Sequence, residues 1–244
     1  MRPVDLDRTG KADLIAGTAH ENGYGMVTHL RGTSTGLTTQ GAKNITAADV
    51  SLQGGTDISS PLPENRYELG WSVATGDFDG DGATDLAAVN IAAPGLNVLK
   101  GPRSRTGVAA GLSGIDTQDR TGVSTEQITA GDVAGDGRSD LLVLGQEEIT
   151  GGHRTRGVLY KGTASGLTAG PEVAGGYAAV IADVDKDGRA ELISGARGEN
   201  GGAGAAWVLR GTSTGITATG ARSLGSTTPG GPSGLAYFGD VLSG

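Results

Sequence analysis

A nine-residue acidic segment recurs four times along the chain, and this repetition restricts the possible folds more than any other feature. The copies are Asp5 to Asp13, Asp77 to Asp85, Asp132 to Asp140 and Asp183 to Glu191. A second element follows each at a similar distance: Leu30-Arg31-Gly32, Leu99-Lys100-Gly101, Tyr160-Lys161-Gly162 and Leu209-Arg210-Gly211. Two markers that keep one phase through a chain mean a repeat protein, each unit being one supersecondary element that buries its apolar face on its neighbours.

Between the markers lie short apolar runs, Asp85 to Val89, Leu141 to Leu144, Gly157 to Tyr160 and Ala206 to Leu209, bounded by glycine and too short for helices. The 46 glycines in 244 residues weigh the same way, since each would cost a helix interior about 1 kcal/mol relative to alanine. The expectation is an all-β fold of small antiparallel sheets, three or four strands to a unit. Repeats of this length read as blades of a β-propeller of about four blades, with the acidic loops between strands. The units run roughly over 1–66, 67–121, 122–174 and 175–244 of a single domain. Tyr237 to Gly244 resembles Glu68 to Thr75, the strand before the second acidic loop. If the ring closes, that last segment would supply the leading strand missing beside Asp5, so the termini would complete one blade. If it does not, the blades are open to self-association.

A formal net charge of -8 disfavours nucleic acid and anionic membrane surfaces, which require clustered Lys and Arg, and suits cations. The absence of cysteine excludes disulfides, thiolate nucleophiles and Cys-ligated zinc. No apolar run approaches the roughly 18 residues of a membrane-spanning helix, so membrane insertion is not expected. The segment from Met1 has no apolar core of a signal peptide.

Numbering each acidic loop from 1 to 9 shows what it can bind. Carboxylates at positions 1, 3, 5 and 9 crowd like charges that repel unless a cation sits among them. Oxygen donors with no His or Cys select a hard ion, and a flexible set of six to eight oxygens suits Ca²⁺ better than Mg²⁺. Glycine at position 6 permits a sharp turn that frees the position 7 carbonyl as a ligand. The candidate ligands are then Asp5, Asp7, Thr9, Lys11 and Asp13; Asp77, Asp79, Asp81, Ala83 and Asp85; Asp132, Asp136, Arg138 and Asp140; and Asp183, Asp185, Asp187, Arg189 and Glu191. An EF-hand is excluded, because its position 12 glutamate is here Ala16, Ala88, Val143 or Ser194. The second and fourth loops are complete. The first has a neutral Thr9 at position 5. The third has Ala134 at position 3 and should bind worst.

Leu69-Gly70 leading a strand into Gly76 to Leu86 resembles the FG-GAP repeat of integrin alpha-subunit propellers and their bacterial relatives. The resemblance implies a β-propeller carrying Ca²⁺ in inter-strand loops on one face. It also implies an extracellular or cell-surface setting and a role in adhesion or in presenting a recognition surface to a protein or carbohydrate. Two departures stand beside it: Gly122 to Gly131 lacks the Phe-Gly signal, and four units are fewer than the seven blades usual in that family.

Other signals read as structural. Gly32 to Gly36 and Gly211 to Gly215 match the G-x-S-x-G nucleophile elbow, but an elbow is a strand-to-helix turn and no helix follows. His20, His29 and His153 lie at no metal spacing and read as surface or loop histidines. Trp71 and Trp207 read as core rather than as a sugar-stacking face. The connections 41–66 and 220–236 are rich in Gly, Pro, Ser and Thr and are equally open to binding and to plain linking. The expected function is a non-enzymatic calcium-binding module with no catalytic residues. The alternatives are a propeller scaffold or accessory domain of a secreted hydrolase or lyase, and a pure assembly role.

Overall fold

The structure, a computed structural model, describes residues 4–21, 25–46, 69–90, 95–99, 101, 112–115, 123–150, 152–174, 176, 178–225, 228, 230–231, 238–240 and 242. Among them lie strands and one short 3-10 turn at Asn200–Gly202. The strands are β1 Leu14–Thr18, β2 Met26–Thr33, β3 Gly36–Thr46, β4 Val73–Gly76, β5 Asp85–Asn90, β6 Gly95–Leu99, β7 Leu112–Ile115, β8 Val123–Gly131, β9 Asp140–Ile149, β10 Gly152–Thr163, β11 Gly166–Ala174, β12 Ala178–Ala182, β13 Glu191–Gly195, β14 Ala205–Thr212 and β15 Gly215–Gly225. They form four sheets in which sequence neighbours pair: β1 to β3, β4 to β7, β8 to β11 and β12 to β15. The registered pairs are antiparallel throughout. The protein is therefore all-β, as the short glycine-bounded runs require.

Contacts divide the chain into two compact units, Arg2–Asp77 with Asp81–Ile128 and Phe78–Gly80 with Thr129–Gly244. In the first unit, Leu6, Val27, Ile45, Leu69, Leu86 and Ala88 make one buried cluster drawn from the first and second sheets. In the second unit, Val133, Leu142, Leu144, Leu159, Ile181, Leu192 and Leu209 do the same for the third and fourth. A half-polar sheet is stable only when its apolar face is covered in this way.

The second sequence marker acquires a steric reason. The strand pairs β2–β3, β10–β11 and β14–β15 are joined by two-residue loops, and each pairing shifts register one residue before the Arg or Lys of the marker. The marker glycine then lies against the acidic loop. A Cβ on Gly32, Gly101, Gly162 or Gly211 would collide with the main-chain oxygen of Ala12, Thr84, Ser139 or Ala190, the residue at position 8 of the respective loop. Backbone cannot yield as a flexible side chain can, so glycine is required at all four.

The leucine at position 10 shows how unequal the sheets are. Leu86, Leu141 and Leu192 are buried, while Leu14 is 44% exposed. The second, third and fourth sheets have a strand ahead of that leucine, β4, β8 and β12, and the first does not among the described residues. Near the end of the chain Phe238 makes a parallel bridge to Gly204, as Leu69 does to Gly25 ahead of β4. Most of the segment that would pair beside Asp5, residues 241–244, lies outside the described residues.

Three stability measurements check this account. Leu192→Ala should cost about 2–5 kcal/mol in denaturant unfolding, against less than about 1 kcal/mol for Leu14→Ala. Gly162→Ala should cost about 1–3 kcal/mol although it adds one methyl. Lys186, at φ 63°, is held in the left-handed region, so Lys186→Gly should be neutral or stabilising by up to about 1 kcal/mol.

Candidate metal centres

Each acidic loop is first organised by its own backbone. The carboxylate at position 1 accepts the N–H of the glycine at position 6 in all four loops: Asp5 from Gly10 at 2.8 Å, Asp77 from Gly82 at 2.8 Å, Asp132 from Gly137 at 2.8 Å and Asp183 from Gly188 at 3.1 Å. Those glycines have φ of 76°, 80°, 85° and 90°, with open space around the missing Cβ, so the constraint there is conformational. The position 5 carboxylate accepts the N–H of position 7 in three loops: Asp81 from Ala83 at 2.8 Å, Asp136 from Arg138 at 3.0 Å and Asp187 from Arg189 at 2.8 Å. These are turns made by an Asp side chain with its own backbone two residues on. In the first loop the residue at position 5 is Thr9, and Lys11 at position 7 is exposed.

The position 9 carboxylate is buried and reaches out of the loop. Asp13 accepts N–H bonds from Leu6 at 2.8 Å and from Gly32 at 2.7 Å. Asp140 accepts from Val133 at 3.1 Å and Gly162 at 2.9 Å, and Asp85 from Gly101 at 2.6 Å. Glu191 accepts from Val184 at 3.1 Å. In three loops, then, one carboxylate joins the acidic loop to the marker glycine of the following hairpin. Burial pushes the Asp140 carboxyl above its ordinary value, against the pull of these amides and with a further push from Asp136.

Positions 1, 3 and 9 converge. One carboxylate oxygen from each of Asp5, Asp7 and Asp13 lies within 4.8 Å of the others, and the same holds for Asp77, Asp79 and Asp85 and for Asp183, Asp185 and Glu191. Position 5 is not part of these groups. In the third loop Ala134 removes a donor, and Asp132 turns both oxygens to the amides of Gly135, Asp136 and Gly137. Two unit charges at that separation repel by roughly 3 kcal/mol at an effective dielectric of about 20, before solvent screens the exposed ones. Capping does not exhaust the donors, because an ionised carboxylate offers about four lone-pair positions. Carboxylate oxygens from three directions, without nitrogen or sulfur, are a donor set for a hard divalent ion such as Ca²⁺.

The loops differ in the basic side chains that lie against them. In the first, Arg31 Nε donates to Asp7 Oδ2 at 2.5 Å and His29 Nε2 lies 2.9 Å from Asp13 Oδ2. Burial raises the Asp7 carboxyl, but Arg31 and the Thr9 hydroxyl and amide outweigh it and hold the group below its ordinary value. The third loop has Arg138 at 3.6 Å and Lys161 at 4.0 Å from Asp136 Oδ2. The second has Arg8 at 3.8 Å from Asp81, a half-exposed pair of little strength. Among the described residues, Asp183, Asp185, Asp187 and Glu191 have no basic partner.

Two expectations are corrected here. His29 is not a surface histidine: it is 2% exposed, because the alternation of β2 turns it inward against Asp13. Trp71 is not core: it is 46% exposed and edge-on to His20 at 6.2 Å, since β4 begins only at Val73 and Trp71 sits in the bend before it. Trp207 does pack on the buried cluster of the second unit, with Nε1 donating to Glu199 at 3.0 Å. The side chain of His153 and most of the long connections lie outside the described residues. The two G-x-S-x-G matches fall in two-residue hairpin turns, where Thr33 and Thr212 donate their hydroxyls to Gly36 and Gly215.

No curated protein matches the chain. Two segments match a family model, residues 69–90 and 175–209, and they contain the second and fourth acidic loops, the two with every position filled. The model is that of the FG-GAP repeat, which these two segments match.

Proposed function

We propose that the chain is a calcium-binding, non-enzymatic β-propeller module of FG-GAP blades that works outside the cell, presenting a recognition surface to a protein or carbohydrate. The observation that carries the calcium reading is the convergence of three carboxylate oxygens within 4.8 Å in loops that retain positions 1, 3 and 9. It is clearest in the fourth loop, where Glu191 is 3% exposed and no described basic group offsets Asp183 or Asp185. When bound, the ion supplies charge neutralisation and fixes the loop; it takes part in no reaction. Asp77, Asp79 and Asp85 would hold it in the second loop, and Asp183, Asp185 and Glu191 in the fourth.

The propeller reading rests on the repeat family and on four sheets of sequence-adjacent strands, each unit burying apolar residues drawn from two of them. The extracellular and adhesive reading rests on the family alone. No described helix is long and apolar enough to cross a membrane. The hairpin-turn setting of the G-x-S-x-G matches favours the non-enzymatic reading over a hydrolase.

Binding to the folded state alone stabilises by mass action, about 2.7 kcal/mol at a hundredfold excess over Kd. Differential scanning calorimetry should therefore show the melting temperature rising by about 5–10 °C between excess EDTA and saturating calcium. Asp79→Asn and Asp185→Asn should each remove part of that rise, and Asp136→Ala should leave it in place. Coincident melting curves with and without calcium would contradict the proposal.

A further inference from the structure

We infer that the Arg31 guanidinium, rather than a divalent ion, closes the first acidic loop, so that this loop is calcium-independent although its carboxylates converge as those of the second and fourth do. The inference rests on the calcium reading only in its contrast with those loops.

The starting observation is that Arg31 belongs to the repeated Arg/Lys-Gly marker, whose basic residue holds one register in three hairpins: Arg31 opposite Thr38, Lys161 opposite Thr168 and Arg210 opposite Thr217. The register shift just before it is a bulge, a device that re-aims a side chain. In the first hairpin the Arg31 side chain passes over Gly41 and ends with Nε at 2.5 Å from Asp7 Oδ2. Asp7 is 5% exposed and stands at position 3 of the converging group. The other side of that group is met by His29, whose Nε2 lies 2.9 Å from Asp13 Oδ2, with both side chains buried. The three carboxylates of this loop thus already face a permanent positive charge at position 3 and an imidazole at position 9.

The fourth loop, with the same converging triad, shows the alternative. Arg210 occupies the same register, its chain near Gly220 as that of Arg31 is near Gly41, but it is exposed and makes no ion pair among the described residues. A guanidinium fixed on the chain competes with a free ion without the translational cost that the ion meets, and it repels a second cation from the same carboxylate. Thr9 in place of an acid at position 5 leaves the first loop with less charge to recruit that ion.

Equilibrium dialysis against calcium, applied to the whole chain, tests this directly. Arg31→Gln should bind one more calcium per chain than the parent, and Arg31→Lys, which keeps the charge, should bind the same number as the parent. Equal binding by the parent and Arg31→Gln would overturn the inference. If neither binds calcium, the calcium reading fails and melting in EDTA decides the role of Arg31 by itself. There, Arg31→Gln should lower the melting temperature by about 2–4 °C, and adding Asp7→Asn should lower it no further. Additive losses in the double variant would overturn it.

Discussion

Carboxylates held within 4.8 Å of one another need positive charge among them, and every other property of the acidic loops follows from how that need is met. The backbone supplies part of the answer. Glycine amides at position 6 bind the position 1 carboxylate in all four loops, and position 9 carboxylates bind amides of their own loop through Asp13, Asp140 and Glu191 and the marker glycine of the next hairpin through Asp13, Asp85 and Asp140. Amide dipoles do not neutralise a net charge, so a cation beside the group is favourable. The first loop has Arg31, and the third has Arg138 and Lys161 with one carboxylate fewer to satisfy. The fourth finds none among the described residues, which is the basis of the proposed ion there.

The same contacts explain why loop and hairpin travel together as a repeat. A marker glycine must lie against the main-chain oxygen of position 8, and in three repeats its amide is bound by the position 9 carboxylate. Altering either partner leaves the other polar group without this bond, at the cost of its desolvation. The sheets then fix what surrounds the loop, because the position 10 leucine that follows enters the core wherever a leading strand covers it.

Much of this was legible in the sequence. The strands, the absence of helix among the described residues and the phase of the two markers follow from glycine density and local periodicity, which are short-range properties. The glycine at position 6 was readable as a turn residue for the same reason. What escaped reading depends on long-range geometry. His29 is sixteen positions from Asp13 and twenty-four from Asp5, and only the pairing of β1 with β2 brings it inward. Arg31 reaches Asp7 across the unit, and nothing in the local sequence separates it from Arg210, which has the same bulge and register but is exposed and makes no ion pair among the described residues. Trp71 was misassigned because the bend at Gly70 interrupts the alternation that would otherwise bury it. The marker glycines were visible as a repeat but not as a steric necessity, since the oxygen they avoid lies in another part of the unit.

The most direct measurement is anomalous diffraction from crystals of the whole chain grown in excess calcium, read at each of the four loops. Peaks beside Asp79 and Asp185, with none beside Asp7 or Ala134, are what this account requires. Water alone at Asp79 and Asp185, or an ion at Asp7 with Arg31 displaced, would contradict it.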